Sequence, residues 1–312
     1  MGELADRQRP GAGELAALAR LARPGAARHG LLLVAPTIGW LVVFLVLPLV
    51  IVVAMSLATR GTHGEVVYRF TLDNYRALLR PHYATIVLDS AWVALLTTLA
   101  CVLLGFPLAW FIARSRAVRR PLLLFLVLVP FWTNFLIRIY AWMILLRGEG
   151  VVASALPLTG PFELAARMLF GYVRLYTPGA VLVGMVYEFL PFMVLPLYAS
   201  LEKLQPTLLE AAADLGARPW QAFRRVTVPL ALPGIVAGSI LVFIPVMGTF
   251  IVSDLLGGKQ VILVGNLIQN QFLSARDPTF GSAASLILMI MTLIVTYFYT
   301  RKFGFGEEIV AV

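Results

Sequence analysis

Glu188 is a carboxylate inside an apolar run, ten residues past Pro178. On a helix that is roughly 15 Å, near the middle of a bilayer. An ionisable side chain at that depth is costly and marks a functional site by default. Pro191 has no N–H to give the carbonyl of Tyr187, so a carboxylate, an aromatic face and a free carbonyl gather within one turn. Each of the three attracts an ammonium ion. The competing reading is that Glu188 is protonated, or paired with a polar group on a neighbouring helix, and serves packing. Asp254 precedes the pair Gly257-Gly258, where the chain can turn sharply. It is either an electrostatic guide for a cation or a solvated helix-end carboxylate. Trp132, Tyr140 and Tyr187 can stack on a methylene chain or face its ammonium groups, with Trp132 set deep in its run beside Pro130 and Asn134. Trp142 reads instead as part of an interfacial aromatic belt, and Asp89 as a helix-start residue stabilised by the dipole. Arg138 opposes a purely cation-attracting pathway, and both Asp254 and Glu188 are open to it as partners.

A second set of residues lies in a polar interval between apolar runs. Glu210-Ala211-Ala212 is followed after three residues by Gly216, and after nine more by Val226-Thr227-Val228-Pro229. The spacing predicts two short helices joined at Gly216, which can take the left-handed conformation that ends the first, while Pro219 suits the first turn of the second. Arg218, ahead of a proline, is biased away from helix and places the break. Pro229 is expected to stop the second half and begin the next apolar run. Ala211, Ala212 and Ala213 leave a small-residue surface that another protein could approach closely.

The elements that must position these residues are membrane spans. Sixty per cent of the chain is hydrophobic and only 13% charged, far from a soluble domain, where charged residues approach about a quarter. Apolar stretches near the ~20 residues needed to cross a bilayer run over Leu31–Leu57, Leu88–Ala113, Leu122–Leu146, Pro178–Leu201, Leu230–Val252 and Ala283–Thr300. The fold expected is therefore an all-α membrane protein of six transmembrane helices over 30–302. A basic tail, 1–29, precedes it, the loop 202–229 lies within it, and a tail, 303–312, follows it. An even number of spans puts both termini on one side. With that side as the cytoplasm, fifteen of the 25 basic residues fall in the N-terminal tail, the turns at Arg114–Arg120 and Lys203–Arg225, and Arg301-Lys302. Dense positive charge in short inner loops is what the positive-inside rule requires. The net charge of +9 is thus a topology signal rather than a nucleic-acid footprint. The single Cys101 excludes a disulfide framework, and His29, His63 and His82 lack metal-ligand spacing.

The Glu210–Pro229 pattern resembles the EAA loop of permease subunits of ATP-binding-cassette importers, E-A-A, three residues, G, nine residues, I-x-L-P, with Val226 and Val228 in place of Ile and Leu. Three further runs are similar to the spermidine/putrescine permeases of that class. These are Pro130-Phe131-Trp132-Thr133-Asn134 with Leu136–Tyr140, Leu190–Tyr198, and Val252–Gly258, and together with the loop they extend across most of 88–300. The resemblance implies a type I ABC importer permease fold, with Glu210, Ala211, Ala212, Gly216, Val226 and Pro229 in an ATPase-coupling loop. It implies a heterodimer with a second homologous permease subunit, two copies of a cytoplasmic ATP-binding subunit and an external polyamine-binding protein. No G-x-x-x-x-G-K-[S/T] phosphate loop occurs in the chain. No cofactor is therefore expected in this subunit, and ATP and Mg would be bound by the partner ATPase. Under this reading Glu188→Gln lowers polyamine transport by roughly ten- to a hundredfold at unchanged protein level, the weight of one charge-assisted hydrogen bond.

Three other readings compete. One is an ABC permease for another solute, such as an organophosphonate or a metal complex. Another is an ion-coupled secondary carrier using Glu188 as a proton relay, which leaves the Glu210–Pro229 loop unexplained. The last is a membrane-embedded enzyme, for which the chain offers neither clustered His, Cys or Asp ligands nor a nucleophile–base pair.

Overall fold

The structure, a computed structural model, describes residues 34–61, 64–147 and 174–303. The expected tail 1–29, the start of the first crossing at Leu31 and the C-terminal tail beyond Phe303 lie outside them. The chain divides into two compact units, Met1–Ala54 and Met55–Val312. The described part of the first is helix α1, Val34–Ser56, which runs on two residues past the unit boundary.

In the second unit a two-stranded hairpin, β1 (Thr59–Arg60) and β2 (Val66–Val67), leads to a short α2 (Asp73–Leu78). Then come α3 (Pro81–Arg114), α4 (Arg120–Trp132), α5 (Phe135–Leu146), α6 (Pro178–Glu202), α7 (Pro206–Asp214) and α8 (Pro219–Gly248). A π-turn at Ser253–Gly257 and a 3-10 turn at Gly258–Gln260 precede α9 (Val264–Leu273) and α10 (Pro278–Phe303). Helices α3, α6, α7, α8 and α10 each open on a proline, where its fixed φ suits the first turn and its missing N–H would be unpaired anyway. This is why α3, α8 and α10 begin well before the apolar stretches that announce them.

Among the described residues, five helices are long and apolar enough to cross a bilayer, and the pair α4 and α5 makes a sixth crossing if its two arms are one. The third span, expected over Leu122–Leu146, is broken into two arms bent by 87° at Thr133-Asn134. Pro130 sits in the 3-10 turn that ends α4, and the Asn134 side chain accepts from the N–H of Leu136 to start α5 as a new helix. A correction concerns Pro229. It lies inside α8 instead of ending a helix. The turn before it is widened to a π-turn, Phe223–Thr227, closed by the Val228 N–H donating five residues back to Phe223. That adjustment lets the helix continue past a residue that cannot donate to the carbonyl four back. The same device stands before Pro48 in α1, where the Leu47 N–H donates to Val42.

The core is where α3, α6 and α8 meet, around Cys101, Ile112, Met185, Met193, Leu197, Val242 and Val246. Gly234 and Gly238, four apart on α8, allow the closest approach. A Cβ at Gly234 would stand 2.5 Å from the Pro196 carbonyl oxygen and 2.6 Å from Ser200 Oγ, and one at Gly238 would stand 2.7 Å from Met193 Sδ. Small residues at this spacing let membrane helices pack backbone to backbone. Gly234→Val should therefore force α6 and α8 apart and destabilise the protein by about 1–3 kcal/mol. The check is a lower melting temperature of the purified protein in detergent, against an unchanged one for Gly39→Ala, where a Cβ meets nothing within 4 Å.

Candidate functional site

The loop between α6 and α8 forms two helices meeting at a glycine. Glu210, Ala211 and Ala212 lie on α7, with Glu210 and Ala211 exposed. The helix ends in a paired motif: the Gly216 N–H donates to Ala213 and the Ala217 N–H to Ala212, at 2.8 and 3.0 Å. Gly216 has φ +78°, the left-handed conformation this ending requires. Arg218 is extended, with φ −65° and ψ 154°, and its N–H is capped by the Gln221 side chain at 2.8 Å. Leu215 and Trp220 project from either side of the break, 89% and 67% exposed, beside a shallow hollow of about 270 Å³ that includes Gly216 and Val226. Both are large apolar side chains standing open at the break.

Phe223 anchors the loop to the core. Its ring stacks on Trp220 at 5.4 Å and stands edge-on to Phe106 of α3 at 5.5 Å. At the other end, Arg120 at the start of α4 pairs with Glu202 at the end of α6, 3.2 Å apart. Neither contact was apparent from the sequence, although Trp220 and Phe223, three apart in an otherwise polar stretch, carry the signal of one helical face.

Deeper in the bundle, the structure chooses between the two partners left open for Arg138. Its Nη2 donates to Glu188 Oε1 at 2.5 Å, and its Nη1 donates across the bend to the Pro130 carbonyl at 2.5 Å. The guanidinium also lies over the Phe131 ring, 4.8 Å from its centroid. Both side chains are buried, 8% and 9% exposed. Glu188 is the eleventh of the 25 residues of α6, so the pair sits midway along that helix. Its carboxylate is charge-balanced within the chain by Arg138.

The other residues singled out for the pathway are not gathered around Glu188 to the same degree. Tyr187, an exposed residue, packs edge-on against Trp142 at 5.5 Å, which makes Trp142 part of the bundle as well as a belt residue. Trp132 is 76% exposed and edge-on to Phe125. Asn134 is occupied in capping α5, and Tyr140 is exposed on the same arm. Asp254 lies apart, exposed in the Ser253–Gly257 turn. There it lines an open polar cavity of about 500 Å³ with His82, Lys259, Asn266 and Gln269. Lys259 brings an opposite charge to the lining of the same cavity.

Comparison with known proteins agrees with this architecture. Residues 102–302 match the family described as binding-protein-dependent transport system inner membrane component. The spermidine/putrescine transport system permease protein PotB of Escherichia coli (strain K12) is 48% identical over 264 residues, covering 85% of this chain and 94% of that protein. Its counterpart in Haemophilus influenzae is 43% identical over 268 residues, covering 86% and 92%. A crystal structure of a bacterial ABC transporter involved in the import of the acidic polysaccharide alginate matches with a TM-score of 0.66 at 18% identity, over 92% of this chain and 97% of that one. At that identity the likeness speaks for the fold alone. The chain belongs to the family of inner membrane components of binding-protein-dependent transport systems, as a multi-pass protein of the bacterial inner membrane.

Proposed function

We infer that this subunit forms, with a second homologous permease, the membrane path of an ATP-driven importer of polyamines such as spermidine and putrescine. The observation that carries the substrate class is the 48% identity to PotB along nearly the whole of both chains. The subunit has no catalytic step of its own. ATP and Mg belong to two copies of a cytoplasmic ATPase, and an external binding protein delivers the amine. The α7–α8 loop, with Leu215 and Trp220 standing out beside Gly216, is the surface the ATPase grips. Since α8 runs unbroken from that loop through Pro229 into the bundle, a push on the loop moves a core helix as a lever.

This mechanism needs the loop in the cytoplasm, together with both termini. A cysteine at Lys203, introduced after Cys101 is replaced, should react with a membrane-impermeant maleimide only in inverted vesicles, and one at Lys259 only in intact cells. Labelling of both from one face would refute the orientation.

The substrate class is tested by deleting the chain and measuring uptake of labelled spermidine, putrescine and an organophosphonate. Restored saturable uptake of an amine on complementation is the expected result. Recovery of phosphonate uptake alone would reject the polyamine reading.

A further inference from the structure

Arg138 fills a place lined by two oxygens and a ring face. Around its guanidinium stand the Glu188 carboxylate, the Pro130 carbonyl oxygen and the face of Phe131, at 2.5 Å, 2.5 Å and 4.8 Å. Two oxygens and a ring face match the three N–H donors of a primary ammonium. A guanidinium brings five donors, and its fit here is incomplete: Arg138 Nε is buried without any hydrogen-bond partner. Buried donors are nearly always satisfied, and the exceptions call for an explanation. The three walls of the site come from two elements, Pro130 and Phe131 from the end of α4 and Glu188 from α6, while Arg138 reaches back to them from α5. Its bond to Pro130 crosses the 87° bend, so any change in that bend must pull the guanidinium out of the cradle.

We propose that Glu188, the Pro130 carbonyl and the Phe131 ring form an alkylammonium-binding site that the chain's own Arg138 occupies in this state, and that a primary ammonium of the transported amine takes its place in transit. The natural occupant rests on the polyamine reading above; the existence of the site does not. Arg138 then acts as an internal stand-in. It keeps Glu188 neutralised while the path is empty, so that the carboxylate neither draws in stray cations nor holds the amine as a permanent trap. Displacement of Arg138 would release the contact across the bend, coupling occupancy of the site to the angle between α4 and α5.

The test uses the assembled importer complex with Arg138→Ala, which empties the cradle, and methylammonium as the probe. Methylammonium should raise the melting temperature of the Arg138→Ala complex by several degrees. Tetramethylammonium, which has no N–H, should not, and neither ion should shift the wild type or Arg138→Ala/Glu188→Gln. In spermidine uptake, the methylammonium concentration that halves the rate should fall by about tenfold or more from wild type to Arg138→Ala, the factor carried by one charge-assisted hydrogen bond. If Arg138→Ala fails to accumulate, its membrane abundance is measured in cells grown with methylamine, which crosses membranes as the neutral base; recovery of the protein supports the site. The site is rejected by an equal response to methylammonium and tetramethylammonium, by the same response in the Glu188→Gln double variant, or by no recovery in methylamine-grown cells. Equal inhibition of wild type and Arg138→Ala would overturn the role in transit. A failure of spermidine uptake by the wild type would strike the polyamine reading and leave the melting result standing.

Discussion

Glu188→Leu should sharply reduce the amount of protein that accumulates in the membrane. The substitution leaves Arg138 charged, buried and without its carboxylate, and breaking such a pair by removing one partner destabilises by about 3–5 kcal/mol. A folded domain commonly has only about 5–15 kcal/mol in hand, so a loss of this size appears as degradation. Arg138→Met should act in the same direction for the mirrored reason. The double variant Arg138→Met/Glu188→Leu should recover much of the lost abundance, because replacing both charges by apolar groups of similar volume is often near neutral. Quantitative immunoblotting of washed membranes for the four proteins closes the cycle. If the double variant were as depleted as the two single losses combined, the side chains would not be acting as a pair. From the sequence alone, the expected consequence at Glu188 was a loss of transport at unchanged abundance; the contact with Arg138 moves the first effect to stability.

Gly216→Val should abolish uptake while leaving abundance unchanged. At φ +78° an L-residue is strained, by roughly 1–2 kcal/mol for an ordinary side chain and by more for a β-branched one. No atom lies within 4 Å of a Cβ built there, so backbone strain alone is responsible. Relieving it gives up the two bonds from Gly216 and Ala217 that end α7 and changes the angle at which α7 meets α8. Because the loop surface is exposed, the fold survives and the grip on the ATPase does not. Gly216→Asn is the control, since asparagine tolerates this conformation and should retain much of the uptake. Co-purification of the ATPase with Gly216→Val at wild-type yield, with normal uptake, would contradict the role given to the loop.

What could be read in advance was whatever depends on local backbone chemistry. Gly216, Arg218 and Pro219 dictate a left-handed residue, an extended residue and a helix start in succession, and each is found. The apolar runs locate the helices, though not their ends, since hydropathy marks where a helix enters lipid and the opening prolines mark where it begins. Pro130 marks an interruption in the third span, but the sharpness of the bend was hidden by the unbroken hydropathy of its flanks, although Thr133-Asn134 just ahead of Phe135 carried the helix-start signal. Pro229 misled because a π-turn can absorb a proline, and nothing in the residues Phe223–Thr227 announces one. The Arg138–Glu188 pair joins residues 50 apart on separate helices, a choice made only when α5 docks on α6. The packing role of Gly234 and Gly238 was missed in the sequence, because it depends on which residues stand opposite, Pro196 and Ser200 at Gly234 and Met193 at Gly238.

Reconstitution tests directly whether the chain is the ATP-driven path for a polyamine. Proteoliposomes carrying the purified complex, with the binding protein outside, should accumulate labelled spermidine only when ATP and Mg are enclosed, and not when Gly216→Val replaces the wild type. Accumulation driven by a proton or sodium gradient without ATP, or unaffected by loss of the binding protein, would contradict it.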